Sequence, residues 1–177
     1  MELWDVYDKD RAKTGRTMVR GEAFEEGDSH LVVQICLINS NGEMLIQQRQ
    51  SFKDGWPNMW DLTAGGSAVA GDTSQTAAQR ELFEEVGIVW EFSGVRPYFT
   101  MNYPRGFTDF YIIEADVDIE KLKLQYEEVQ AVKWAAKEEI MRLIDEGTFM
   151  PYYKDVISLV FAMKGKHLGG LSVWEAG

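Results

Sequence analysis

Gly66-Ser67-Ala68-Val69-Ala70-Gly71-Asp72, seven further residues, then Arg80-Glu81-Leu82-Phe83-Glu84-Glu85-Val86-Gly87-Ile88: the fold of this 177-residue chain is decided in that stretch. Thr73 to Val86 has helical character, with Asp72, Thr73 and Ser74 as capping residues at its start and Gly87 as its stop. Ala78, Leu82 and Val86 recur at i, i+4 and i+8 and give the helix an apolar stripe. Glu81, Glu84 and Glu85 stand at i, i+3 and i+4, so their carboxylates share one face. Like charges at that spacing cost a few tenths of a kcal/mol per pair unless a cation is bound between them. An all-oxygen set with no His or Cys nearby favours Mg²⁺ or Mn²⁺ over zinc. Taken alone, the three glutamates fit a solvated acidic helix face better than a metal site.

Outward from the helix, Leu3 to Tyr7 and Thr17 to Phe24 read as short strands around a polar turn from Asp8 to Gly15. Leu31 to Asn39 is a continuous apolar run, expected as a buried strand, and Asn41-Gly42 turns the chain into Met44 to Gln48. Phe52 to Gly71 is expected as a long structured loop with a short strand near Trp60 to Ala64; loops of that length in a compact domain are usually functional. Beyond the helix, Pro97 to Tyr103, Phe107 to Val117 and Val129 to Ala135 are expected strands. Lys137 to Glu146 and Tyr152 to Lys164 are expected amphipathic helices. The order predicts an α+β or mixed α/β sandwich around one sheet. No linker or repeat interrupts it, so residues 1–177 read as a single domain. Residues 1–27 form an N-terminal hairpin extension, and 150–177 a C-terminal helix with a Gly-containing tail from Leu168.

Composition narrows the function classes. A formal charge of −11 lacks the basic footprint that a nucleic-acid polymer or an anionic membrane requires. It leaves room for small anionic ligands held through divalent cations, and excess acid also simply aids solubility. No apolar run approaches the ~20 residues of a membrane span, and Met1 to Asp5 lacks the form of a secretory signal. The single cysteine, Cys36, lies in the apolar strand and reads as a core residue, which together with these features points to the cytoplasm.

The quoted stretch resembles the Nudix box: Gly, five residues, Glu, seven residues, Arg-Glu-apolar-any-Glu-Glu-any-Gly-apolar. Gly66, Arg80, Glu81, Glu84, Glu85 and Gly87 match its singly specified positions, a coincidence on the order of 10⁻⁷ per starting position. Asp72 stands where the family has Glu, one methylene shorter; it is expected either in the outer shell of the metal site or as the N-cap. The resemblance implies an α/β/α sandwich with a mixed central sheet and a loop-helix-loop, and Mg²⁺- or Mn²⁺-dependent hydrolysis of a phosphoanhydride. It implies Glu84 and Glu85 as principal metal ligands, and Glu81 as a further ligand or a positioner of water. The carbonyl of Gly65 would be a backbone ligand, and Arg80 an internal partner that holds a carboxylate. A later acid completes the site in this family; Glu127 and Glu128 are the candidates, with Glu128 preferred as ligand or base.

From Leu3 to Trp134 the chain is also similar to the branch that includes isopentenyl-diphosphate isomerase, through Asp28-Ser29-His30-Leu31, Asn41-Gly42, Leu45 to Arg49 and Trp56 to Trp60. That likeness implies Arg49 and Lys53 as diphosphate-binding residues. The isomerase's catalytic Cys would fall near Gly65 and one of its His ligands at Ser67, so its machinery is missing; His30 reads as a structural histidine. The expected partner is a small diphosphate-containing molecule: a nucleoside diphosphate linked to another group, or a related sugar or prenyl diphosphate. A non-catalytic diphosphate-binding module is the rival class, although such a module is expected to lose Glu81, Glu84 or Glu85, and all three stand. The N-terminal strands and the last helix are extra material that could form a homodimer surface.

Overall fold

The computed structural model describes residues 2–166; the expected tail from Leu168 lies outside them. Strands β1 (Leu3–Tyr7) and β2 (Lys13–Val19) form an antiparallel hairpin. There follow β3 (His30–Ile38), β4 (Met44–Arg49), β5 (Trp60–Asp61), β6 (Ala64–Ser67), α1 (Ser74–Val86), β7 (Phe99–Tyr103) and β8 (Gly106–Glu114). A 3₁₀ turn at Ile119–Lys121 leads to β9 (Val129–Ala135), α2 (Lys137–Asp145) and α3 (Lys154–Met163). Strands β3 to β9 make one mixed seven-stranded sheet. β3 runs parallel to β8 from His30↔Gly106 to Ile38↔Glu114 and antiparallel to β6, while β4 takes β5 and β9 as its neighbours.

Between β3 and β4 only Ile38 and Met44 are in register, so the sheet splits just past its tight turn. Thr63, fully buried between β5 and β6, bridges the gap: its hydroxyl donates to the Leu45 carbonyl (2.6 Å) and accepts from the Leu37 N–H (2.8 Å). Without that hydroxyl both backbone groups would be left unpaired where water cannot reach them.

Apart from His30 at its start and Gln34 within it, β3 is apolar, because both of its faces are covered. Val33, Ile35 and Leu37 pack with Ala77, Ala78, Leu82 and Val86 of α1, whereas Cys36 and Ile38 pack with Ile140, Leu143, Ile157 and Val160 of α2 and α3. That is the expected α/β/α sandwich. Cys36 is fully buried, and burial raises its thiol pKa well above the usual range.

Several boundaries differ from expectation. The first hairpin closes early: the Asp8 carboxylate accepts the N–H groups of Asp10 and Ala12, Arg11 takes φ 63°, and β2 starts at Lys13, not at Thr17. That Asx-type turn is local and strong enough to bring the polar run Lys13-Thr14-Gly15-Arg16 into a strand. The expected strand at Trp60 to Ala64 is two strands that pair with different partners. The N-cap of α1 is Thr73, not Asp72; Thr73 and Thr76 exchange side-chain and backbone bonds in a capping box.

Candidate metal and substrate site

Helix α1 carries its glutamates in two settings. Glu81 and Glu85 fall on the buried side with Ala77, Ala78 and Leu82, whereas Glu84 lies half exposed at the rim. Glu85 is held by the Gln47 amide of β4 (2.7 Å) and the Gly65 N–H of β6 (3.1 Å). The two donors come from different strands, β4 and β6, so the Glu85 carboxylate ties α1 to both. Burial, then repulsion from Glu81, pushes the Glu85 pKa well above the ordinary carboxylate range, and these two hydrogen bonds only partly oppose that. Burial also raises Glu81, against the pull of Arg80 and with the push of Glu84 and Glu2.

Arg80 is the organiser. Its guanidinium donates to Glu81 (2.9 Å), Glu84 (3.1 Å), Asp72 (3.1 Å) and the Ser67 carbonyl (3.1 Å). Desolvation works against its charge, but Glu81 and Asp72 prevail and hold it firmly protonated. Its Nε is buried with no hydrogen-bond partner among the described residues. Asp72 therefore serves as a partner of Arg80 and also accepts from the Val69 N–H (3.1 Å) and the Thr76 hydroxyl (2.9 Å), which fixes the loop before α1.

Gly65 and Gly66 permit close approach. A Cβ at Gly66 would overlap the Glu81 carboxylate, and one at Gly65 would overlap the Gln34 side chain and the Val33 carbonyl. A cysteine at 65, as the isomerase chemistry requires, does not fit beside Gln34.

A cleft of about 290 Å³ brings the expected residues together: Arg49, Lys53, Gly65, Arg80, Glu81, Glu84, Glu85 and Glu128 all line it. Lys53 and Glu128 form an ion pair at 2.6 Å, and Arg49 donates to the Gly55 carbonyl at 3.0 Å. Glu127 does not line the cleft. Among the described residues no three His, Cys, Asp or Glu side chains stand close enough together to grip an ion as they are. The chain's own cations explain why: Arg80 holds Glu81 and Glu84, and Lys53 holds Glu128.

Glu2, Arg20, Gln47 and Gln125 were not legible as site residues. Glu2 and Arg20, paired at 3.1 Å, reach the cleft because the hairpin docks on the loop before α1. The Leu3 carbonyl accepts from Ala70 (2.7 Å), Asp5 from Gly71 (2.9 Å), and Lys13 donates to the Asp72 carbonyl (2.7 Å). Only pairing between segments distant in sequence reveals this. The hairpin expected as a homodimer surface thus spends much of its edge within its own chain. His30 is structural: it stacks on Trp4 (4.4 Å, 6°), and its Nδ1 lies 3.0 Å from the Arg105 carbonyl.

A model of the NUDIX domain matches residues 28–156. The chain belongs to the Nudix family. An uncharacterized Nudix hydrolase of Listeria monocytogenes is 46% identical over 86% of this chain and 90% of its own length. An isopentenyl-diphosphate Delta-isomerase of Pectobacterium atrosepticum is 30% identical over 55% of this chain and 52% of its own length, a weaker likeness to the isomerase branch. Among solved structures, DR0079 from Deinococcus radiodurans shares the fold with a TM-score of 0.71 at 23% identity, over 90% of this chain and 97% of that one. A bifunctional NMN adenylyltransferase/ADP ribose pyrophosphatase from Francisella tularensis, complexed with AMP and a Mn ion, gives a TM-score of 0.60 at 19% identity, over 78% of this chain and 42% of that one. With the family comes the enzyme class: this Nudix protein is a hydrolase acting on phosphoanhydrides. No helix among the described residues is long and apolar enough to cross a membrane.

Proposed function

We propose that this Nudix protein is a Mg²⁺- or Mn²⁺-dependent pyrophosphohydrolase that cuts a phosphoanhydride in a small diphosphate-containing substrate. The observation that carries the reading is Glu85, a buried carboxylate beside Glu81 in a cleft that also presents Arg49 and Lys53. Two buried acids in mutual repulsion favour a cation, and two basic side chains on the same cleft favour an anion. A diphosphate bound through divalent metal satisfies both. Glu81, Glu84, Glu85, Glu128 and the Gly65 carbonyl form an all-oxygen set suited to Mg²⁺ or Mn²⁺ and would hold the metal. Bound there, a divalent ion would neutralise phosphate oxygens and lower the pKa of a water.

The chain's own residues supply the rest. Arg49 and Lys53 offset the charge of the diphosphate and orient it. Released from Lys53 when that lysine turns to phosphate, Glu128 can accept a proton from the attacking water. The new P–O bond forms as the anhydride P–O bond breaks, and the leaving phosphate departs as a phosphorylated product. Arg80 positions Glu81 and Glu84.

The test is a panel of nucleoside-diphosphate esters, nucleoside triphosphates and base-free diphosphates with Mg²⁺, with released phosphate measured after phosphatase coupling. Turnover that EDTA abolishes is expected. Glu85→Gln should lose on the order of 10²–10⁴-fold in kcat while its melting temperature stays level or rises, because a repelled buried charge is removed. Unchanged turnover in Glu85→Gln overturns the site assignment. Ligand binding with no turnover across the panel would make the chain a binding module.

A further inference from the structure

Arg49 is held at three points by its surroundings. Its N–H donates to the Met59 carbonyl (2.9 Å), and its carbonyl accepts from the Gln130 amide (2.7 Å). Its guanidinium donates to the Gly55 carbonyl through Nε (3.2 Å) and Nη2 (3.0 Å). Nη1 makes no hydrogen bond among the described residues, and Arg49 lines the cleft, so that edge of the fork is open to an anion.

The turn that supplies the Gly55 carbonyl has an uncommon backbone. Trp56 takes φ 54° and Asn58 φ 62°. Asn enters this left-handed region readily, whereas a bulky side chain does so only at a cost. Pro57 adds to it, because the residue before a proline is driven toward extended backbone. The Trp56 ring is 53% exposed, so its own burial does little to offset the strain. The turn is pinned from outside instead. The Asn58 carbonyl accepts from Gln48 (3.0 Å) and its side-chain oxygen from Gln130 (3.0 Å), so Gln130 clamps Arg49 and Asn58 together. Strain that the surroundings over-determine in this way gathers at functional sites.

The Gly55 carbonyl belongs to the planar peptide unit that joins Gly55 to Trp56. With the turn pinned at Asn58 and Met59, the φ of Trp56 sets where that carbonyl points. At 54° it meets the guanidinium. At an ordinary φ of about −65° the peptide plane would be turned by roughly 120°, and Arg49 would lose both bonds.

We propose that the left-handed turn at Trp56 is a positioning device for Arg49. The backbone of residue 56, not its ring, aims the Gly55 carbonyl and so holds the guanidinium ready for the diphosphate. This deepens the pyrophosphohydrolase reading and rests on Arg49 as a diphosphate ligand. A guanidinium fixed beforehand loses little side-chain freedom when phosphate arrives. Trp56 acts through Arg49 and is a positioning residue.

Isothermal titration with methylenediphosphonate, a non-hydrolysable diphosphate, in the presence of Mg²⁺ tests it. The proteins are wild type, Trp56→Pro, Trp56→Val and Trp56→Gly, each with and without Arg49→Ala. Proline locks φ near about −65°, valine resists a positive φ, and glycine adopts one freely. Trp56→Pro should raise Kd about tenfold and Trp56→Val about threefold or more, while Trp56→Gly stays within about twofold of wild type. In the Arg49→Ala background none of the three should raise Kd further. The Trp56 N–H makes no hydrogen bond among the described residues, so proline removes none. If Trp56→Pro fails to fold, Trp56→Val, which keeps the N–H, carries the same comparison. Unchanged Kd in both variants, a loss in Trp56→Gly as large as in Trp56→Pro, or losses that persist in the Arg49→Ala background each overturn the positioning role and leave the hydrolase reading intact. An Arg49→Ala variant that binds like wild type removes Arg49 as a diphosphate ligand. A wild type that does not bind the diphosphate removes the reading on which the proposal rests.

Discussion

Arg80 and His30 show how differently a residue's role can be fixed. Arg80 makes four directed contacts from one planar fork, to Glu81, Glu84, Asp72 and Ser67. A lysine keeps the charge and loses the fork. Arg80→Lys should therefore lower kcat by about tenfold or more and cost about 1–2 kcal/mol of stability, read by chemical denaturation. A variant kinetically equal to wild type would show that Arg80 does not position the glutamates. Burial among Trp4, Phe24 and Tyr103 depresses the pKa of His30, and the Arg105 carbonyl only partly restores it. With the folded value below the unfolded one, the contribution is complete above the unfolded value of 6.5 and is lost as pH falls through the lowered folded value. Wild type should therefore lose more melting temperature than His30→Phe between about pH 7.5 and about pH 5. Parallel pH profiles would remove His30 from the pH response.

Helix α1 is held at both ends by features visible in its own sequence. Thr73 caps the start in a box with Thr76, and Gly87 ends it at φ 72° with its N–H on the Leu82 and Phe83 carbonyls. Thr73→Ala should cost about 1 kcal/mol, a fall of about 2–4 °C in melting temperature for a chain of this size, with Thr73→Ser close to neutral. An unchanged Thr73→Ala would mean that Asp72 or Ser74 can cap in its place. The strands obey different rules. β3 was legible because a strand covered on both faces is apolar at nearly every position, Gln34 being the exception within the run, whereas β2 was displaced by a turn that depends on one carboxylate, Asp8. The split of β5 from β6 was hidden because each is short and draws its stability from a different partner strand.

Over the whole molecule, the hairpin is the element whose role changed most. Arg11 at its tip donates to both oxygens of Asp109 on β8 (3.0 Å each) and lies 4.3 Å over the Phe107 ring. Asp109 is 1% exposed and also accepts from Ser74 (2.7 Å) and Thr100 (2.6 Å). Arg11→Ala leaves a buried carboxylate short of its cation, so a loss of about 1–2 kcal/mol is expected, less than for a fully buried pair because Arg11 is 42% exposed. Circular dichroism melts check it; a neutral Arg11→Ala would mean that the hairpin is held by its backbone contacts alone.

What the sequence determined by itself is what is local or periodic. The capped helix, the spacing of Gly66, Arg80, Glu81, Glu84, Glu85 and Gly87, the doubly buried β3 and the order of elements all follow from interactions a few residues apart. They were enough to place the family and its acidic helix. Tertiary structure alone decided which of those carboxylates is desolvated, since that depends on Gln47 and Gly65 arriving from two different strands. It likewise decided that Glu128 and not Glu127 enters the cleft, that Glu2 and Arg20 join it, and that Gln130 reaches Arg49 and Asn58. Burial and charge pairing are set by segments far apart in the chain, and no periodicity within one segment records which neighbour will cover it.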